Sequence, residues 1–129
     1  MADNALGTMN RERNYNLTFA ISAGYYSMYY SLYSVLMKIG VKCEIHSCTL
    51  VFMKELLAEF YTKEDFKLLS KSFDLRNIAQ YYVDKVIDTK ESDLIMNKAP
   101  LFVNTSKDIL SRLNENDIKK IREGLRRFF

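Results

Sequence analysis

The chain is predicted to be all-α, an antiparallel up-and-down four-helix bundle with a short fifth C-terminal helix. Three observations carry this. Apolar residues recur at spacings of three and four over long stretches, as a helix that buries one face requires. The 129 residues contain only four Gly and one Pro, too few turn formers for a fold of many strands. Hydrophobic residues make up 48% and charged residues 27%, a mixture that suits a soluble domain with one core and argues against disorder. Few, long elements joined by short turns give a bundle.

Met1 to Thr8 show no apolar period, and residues 1–13 are expected to be a flexible N-terminal segment outside the fold. Residues 14–129 are expected to form the bundle. The first helix should run from about Asn14 to Ile39, with Met28, Leu32, Val35 and Ile39 as one apolar stripe and Tyr26, Tyr30, Tyr33 and Met37 as a second. Two stripes imply burial by more than one neighbour. Gly40 supplies a C-terminal stop. Ala20, Gly24, Ser27, Ser31 and Ser34 form a row of small residues on the same helix, which should face a closely packed helix or a symmetry mate.

The second helix is expected from about Glu44 to Phe60, with Ile45, Thr49, Phe52, Leu56 and Phe60 inward. Thr62, followed by Glu64 and Asp65, reads as an N-cap with acids in the first turn, where they complement the helix dipole. The third helix therefore starts near 63 and is expected to reach Asp88. Its seam is Leu68, Leu75, Ala79, Tyr82 and Val86, with Leu69, Phe73, Val83 and Ile87 beside it. Ser92 is the expected cap of the fourth helix, which reaches Leu113 through Leu94, Ile95, Phe102, Val103, Ile109 and Leu110, with a kink or break at Pro100. Asn114 or Asn116 caps the short last helix, where Ile118, Ile121, Leu125 and Phe128 oppose Lys119, Lys120, Arg122, Arg126 and Arg127. That basic side suits an acidic partner, RNA or a membrane surface, and it equally suits a helix dipole alone.

The composition excludes several function classes. The net charge of +3 is too small to signal nucleic-acid binding by itself. No apolar run is long enough to span a membrane and no leader pattern opens the chain, so a cytoplasmic protein without a membrane partner is expected. Cys43 and Cys48 flank the single histidine, His46, but three candidate ligands fall short of a metal site, and reduced thiols are expected. There is no glycine-rich phosphate loop, and one histidine leaves no room for a familiar triad or a multi-histidine metal site. No cofactor and no metal are expected.

One residue stands out. Leu69, Arg76 and Val83 are seven apart and nearly superimpose on a helix, which puts a guanidinium in line with core positions. A buried cation without a partner costs several kcal/mol, roughly, so Arg76 should meet a carboxylate, a second subunit or an anionic ligand, or open into a wet groove. The plainer alternative is an arginine snorkelling at the core's edge and pairing with Glu55 or Asp84. Asn77 and Tyr81, four apart, add an amide and a phenol nearby.

Taken with AGYYSMYYSLYSVLMKIGV (Ala23 to Val41), IHS (Ile45 to Ser47), RNIAQYY (Arg76 to Tyr82) and the segment Ala99 to Phe102, the chain resembles the HEPN domains (higher eukaryotes and prokaryotes nucleotide-binding), in particular their small stand-alone prokaryotic, nucleotidyltransferase-associated branch. The resemblance covers about residues 14–113. It implies a helical bundle that dimerises with two arginine motifs at a shared groove, encoded beside a minimal nucleotidyltransferase as toxin and antitoxin or as a substrate-binding partner. Catalytic members are metal-independent ribonucleases that use an arginine, an adjacent polar residue and a histidine five to seven positions on.

Arg76 and Asn77 match the first part of that motif, while positions 81, 82 and 83 are Tyr, Tyr and Val. Tyrosine, with a pKa near ~10, is a poor general acid or base at neutral pH. The resemblance therefore implies a noncatalytic member that binds a nucleotide, RNA or a partner nucleotidyltransferase through Arg76, Asn77, Tyr81 and His46. A ribonuclease toxin built on Arg76, Asn77 and His46 is the alternative, and a purely structural bundle with Arg76 as an internal strut is a third reading. The ribonuclease would need His46 near Arg76, whereas an up-and-down bundle is expected to hold them about half a helix apart unless a dimer partner closes the distance. By analogy with toxin-type relatives, Tyr81 and Tyr82 are candidates for nucleotidylation.

Overall fold

The chain folds around its second helix. The structure, a computed structural model, describes residues 1–43, 45–81 and 89–128, and over them it is an all-helical bundle. Its elements are α1 (Ala2–Glu12), α2 (Leu17–Ile39), α3 (His46–Leu56), α4 (Lys63–Tyr81), α5 (Thr89–Arg112) and α6 (Glu115–Phe128). No helix among the described residues is long and apolar enough to cross a membrane.

α2 is the axis, packed mainly against α1, α5 and α4. Asn16 caps its start by accepting a hydrogen bond from the Phe19 N–H at 3.2 Å. Gly40 ends it in the left-handed conformation (φ 87°), which costs a residue with a Cβ about 1–2 kcal/mol. Met28, Leu32, Val35 and Ile39 are all buried, as the sequence pattern predicts. The small-residue row works within the chain. An ideal Cβ on Gly24 would lie 3.1 Å from Met9 Sδ, and the hydroxyls of Ser31 on α2 and Ser106 on α5 are 3.0 Å apart. Tyr61 reaches the same Ser106 hydroxyl at 2.7 Å, and Ser31 donates to the Met28 carbonyl at 2.8 Å. Ser34, the last of the row, is exposed.

Residues 1–13, expected to stand outside the fold, instead contain α1. Met9 is fully buried in the core, and Lys107 of α5 pairs with Asp3 at 2.7 Å. The sequence shows little of this because α1 is anchored by Met9, seated where Gly24 has no side chain, with Leu6 half-buried beside the core, and two apolar residues make no periodic stripe.

Elsewhere the boundaries shift. α3 begins at His46 rather than Glu44, and Glu44 itself lies outside the described residues. Ile45, expected inward, flanks the helix and is 66% exposed. After Leu56 the chain turns, so that Leu57 and Tyr61 fill the core and Phe60 packs half-buried against it. Thr62 caps α4 as predicted: Asp65 N–H donates to Thr62 Oγ1 at 3.1 Å, and Thr62 N–H donates to Asp65 Oδ2 at 3.0 Å. The expected continuation of the third helix to Asp88, with Tyr82, Val83, Val86 and Ile87, falls outside the described residues.

α5 starts at Thr89, so Ser92 is not its cap; it is buried and donates to the Thr89 carbonyl at 3.1 Å. Pro100 lies inside the helix without breaking it. Ile95, Met96, Ala99, Phe102, Val103 and Ile109 on its inner stripe are buried, and that packing outweighs one lost backbone bond. Leu94, expected in the core, is 47% exposed because the stripe runs past it. Asn114, not Asn116, caps α6, accepting from the Asp117 N–H at 2.8 Å. Ile121 is buried and Leu125 packs against the core; the side chain of Phe128 is outside the described part. Arg122 donates to the Ile39 carbonyl at 3.0 Å, so one of the tail's basic residues satisfies the C-terminal end of α2.

Candidate functional site

The tyrosine-bearing side of α2 turns toward α3 and α4. Tyr25, Tyr26 and Tyr29 lie within a turn and a half of one another, and their rings meet His46 at the start of α3 and Phe73 and Arg76 in α4. A helix places positions i, i+1 and i+4 on a broad face, so three tyrosines cover the ground between two neighbouring helices.

Arg76 is half-buried. Its Cζ lies 5.3 Å from the Tyr25 ring centroid, 5.5 Å from Tyr26 and 5.5 Å from Phe73. Nη1 donates to the Tyr26 hydroxyl at 3.2 Å. Ring faces attract a guanidinium, and the attraction strengthens when water is excluded. Arg76 is therefore held in an aromatic notch and not in a purely aliphatic core. The alternative partner Asp84 lies outside the described residues.

His46 sits on the same rings. It stacks on Tyr29 with centroids 4.0 Å apart and planes within 9°, approaches Tyr25 at 5.6 Å, Tyr26 at 6.0 Å and Phe73 at 6.0 Å, and its Nδ1 is 2.6 Å from the Tyr25 hydroxyl. Arg76 and His46 thus flank Tyr25, Tyr26 and Phe73 within one chain, contrary to the expected separation. Arg76 lies late in the described part of α4 (Lys63–Tyr81), and α3 begins at His46 itself. An early position on α3 then meets a late position on α4.

The electrostatics follow from this neighbourhood. Burial, and after it the Arg76 charge, lowers the His46 pKa below its ordinary 6.5, favouring the neutral ring near neutral pH. Burial raises the Tyr25 phenol well above its ordinary range, and Arg76 offsets only part of this. Burial likewise raises Tyr29. All three groups are held neutral beside one cation.

Asn77 is half-buried on α4. Tyr81 is the last described residue of α4, but its side chain lies outside the described part, as does the whole of Tyr82. Tyr25, Tyr29 and Phe73 were not expected at a site. Their only sequence signal, aromatics at helical spacing, is the same one that core packing produces. The two cysteines are free, Cys43 buried and Cys48 partly so. A hydrogen bond to Cys43, with burial behind it, pushes the Cys48 thiol up to about 11, which leaves it unreactive at neutral pH. Among the described residues no group of three His, Cys, Asp or Glu side chains is placed to hold a metal ion.

No family model matches the chain. It is 30% identical over 108 residues to a protein of Methanocaldococcus jannaschii named "Putative toxin MJ0142", a match that spans 79% of this chain and 74% of that protein. The chain belongs to the family of that archaeal protein.

Proposed function

We propose that the protein is a noncatalytic HEPN-like bundle, acting as a homodimer in a toxin–antitoxin-like or nucleotidyltransferase-associated pair. It binds the phosphate of a nucleotide or RNA, or an acidic surface of a partner nucleotidyltransferase, through the notch around Arg76, with Asn77, Tyr81 and His46. The observation that supports this most is the convergence of Arg76 and a neutral His46 on one aromatic notch. Arginine offers a rigid fork of donors for phosphate oxygens, and a partly exposed tyrosine such as Tyr26 can stack on a base. The name of the archaeal relative supports the toxin-like context. The test is a titration with inorganic phosphate and with AMP, followed by the NMR signals of the single histidine. Saturable shifts that weaken at least tenfold in Arg76→Ala are expected. Equal affinity in Arg76→Ala would remove the reading.

A second reading, a metal-independent ribonuclease toxin, is favoured by one observation: the bundle brings His46 beside Arg76 although the motif's own histidine is missing. It predicts RNA cleavage in the presence of a chelator, abolished by Arg76→Ala and by His46→Ala. Intact RNA after long incubation with concentrated protein would exclude it.

A further inference from the structure

We propose that Tyr25 is a positioning residue that locks His46 in the Nε2–H tautomer, so that the imidazole acts as a hydrogen-bond donor beside Arg76 and the notch recognises an ionised phosphoryl group. The inference rests on the anion-binding reading above and adds the protonation pattern that selects the ligand.

Tyr25 is fully buried, and among the described residues its hydroxyl is hydrogen-bonded to His46 Nδ1, 2.6 Å away. Either group could in principle donate. If His46 donated, the phenol proton would be buried without an acceptor, and a buried donor left unmatched loses its full hydration. If Tyr25 donates, its proton is satisfied and the Nδ1 lone pair is used. Burial supports this arrangement, because it keeps the phenol protonated and the imidazole neutral. A neutral imidazole carries one proton, which is then on Nε2.

The ring has little freedom to escape this role. It lies flat on Tyr29 at 4.0 Å, and turning it over would replace Nδ1 by a carbon at the Tyr25 hydroxyl. The second ring nitrogen of His46 therefore offers N–H, and Arg76 carries only N–H groups. The Tyr26 hydroxyl already accepts from Arg76 at 3.2 Å, which leaves its own proton to donate. Donors on three helices suit a ligand that only accepts. Ionised phosphoryl oxygens meet that requirement; an amide or a ribose hydroxyl brings protons of its own. The same pattern bears on catalysis: with Nδ1 occupied and Nε2 protonated, His46 is not poised to take a proton from an RNA 2′-hydroxyl.

Nitrogen-15 labelling gives a direct test, because the chain has one histidine. In the wild-type protein, near neutral pH and without ligand, two-bond correlations should show Nε2 protonated and Nδ1 as a hydrogen-bonded acceptor. Tyr25→Phe keeps the ring and should move the Nδ1 signal toward that of a free acceptor, with phosphate affinity reduced by about three- to tenfold. His46→Ala removes the donor and should weaken phosphate binding by about three- to tenfold, and His46→Gln, whose amide can donate, should recover part of that loss. A proton found mainly on Nδ1 in the wild type, with phosphate still bound, overturns the positioning role and leaves the anion site standing. The expected tautomer with no response of His46 to phosphate or AMP overturns the anion site, and the ligand selection with it.

Discussion

The two sides of α2 are both buried by neighbouring helices, yet they are built in opposite ways. On one side Gly24 and Ser31 let Met9 of α1 and Ser106 of α5 come close. These two contacts are made by a thioether and a pair of hydroxyls, and the surfaces interlock. On the other side Tyr25, Tyr26 and Tyr29 face α3 and α4, and a guanidinium and an imidazole lie against their rings. Small residues make a helix contact stable; large amphipathic rings make one that can hold a polar guest. One helix supports both because Gly24 and Ser31, seven apart, nearly superimpose, while Tyr25, Tyr26 and Tyr29 fall on the opposite half of its circumference.

The largest effect should come from opening the close-packed side. Met9→Ala removes a fully buried side chain and is expected to cost about 2–4 kcal/mol in urea unfolding, with phosphate affinity unchanged. If affinity fell in step, the two sides would not be independent. Next is Arg76→Ala, the reverse experiment: a loss of about 1.5–3 kcal/mol in binding phosphate, the range for a hydrogen bond to a charged group, with a smaller change in folding stability. The same variant should raise the His46 pKa toward its ordinary value, since one of the two causes of its depression is removed; an NMR pH titration reads this directly.

A smaller change is expected from Tyr61→Phe, which takes one hydroxyl from the buried Tyr61–Ser106–Ser31 group and should cost about 1 kcal/mol without affecting ligand binding. The smallest is a pH effect confined to the tyrosine side. Because the folded His46 pKa is lowered from 6.5, the unfolded chain binds more protons between the two values. The histidine's contribution to stability is therefore complete above about 6.5 and declines as the pH falls toward the lowered value. His46→Gln should remove that part of the acid dependence, measured as the difference between urea midpoints at neutral and mildly acidic pH.

The difference between the sides also explains what the sequence reveals. The apolar stripe of Met28, Leu32, Val35 and Ile39, the Asp65–Thr62 cap and the Gly40 stop are local signals, and each marks its element correctly. α1 escaped notice because its anchor is a gap in another helix, and Leu94 and Ile45 were misplaced because a stripe gives a direction only to within a residue or two. Arg76 was legible as a charge among core positions. Its nearness to His46 was not, since that depends on where α3 begins and on how far along α4 the arginine falls. Tyr25 was hidden entirely: a tyrosine that orients a histidine and one that fills space have the same spacing.

The long reach of the contacts around α2 also bears on the chain's synthesis. Ser31 meets Ser106 across 75 residues and Asp3 meets Lys107 across 104, so the oily central rod leaves the ribosome with α1 at hand but well before α5 can cover its other side. At translation speeds of about 5–20 residues per second, it waits for α5 for roughly 4–15 seconds. During that interval a nascent chain would depend on a holding chaperone, and slowing the ribosome between Gly40 and Ser106 should lower the yield of soluble protein more than slowing it after Arg112.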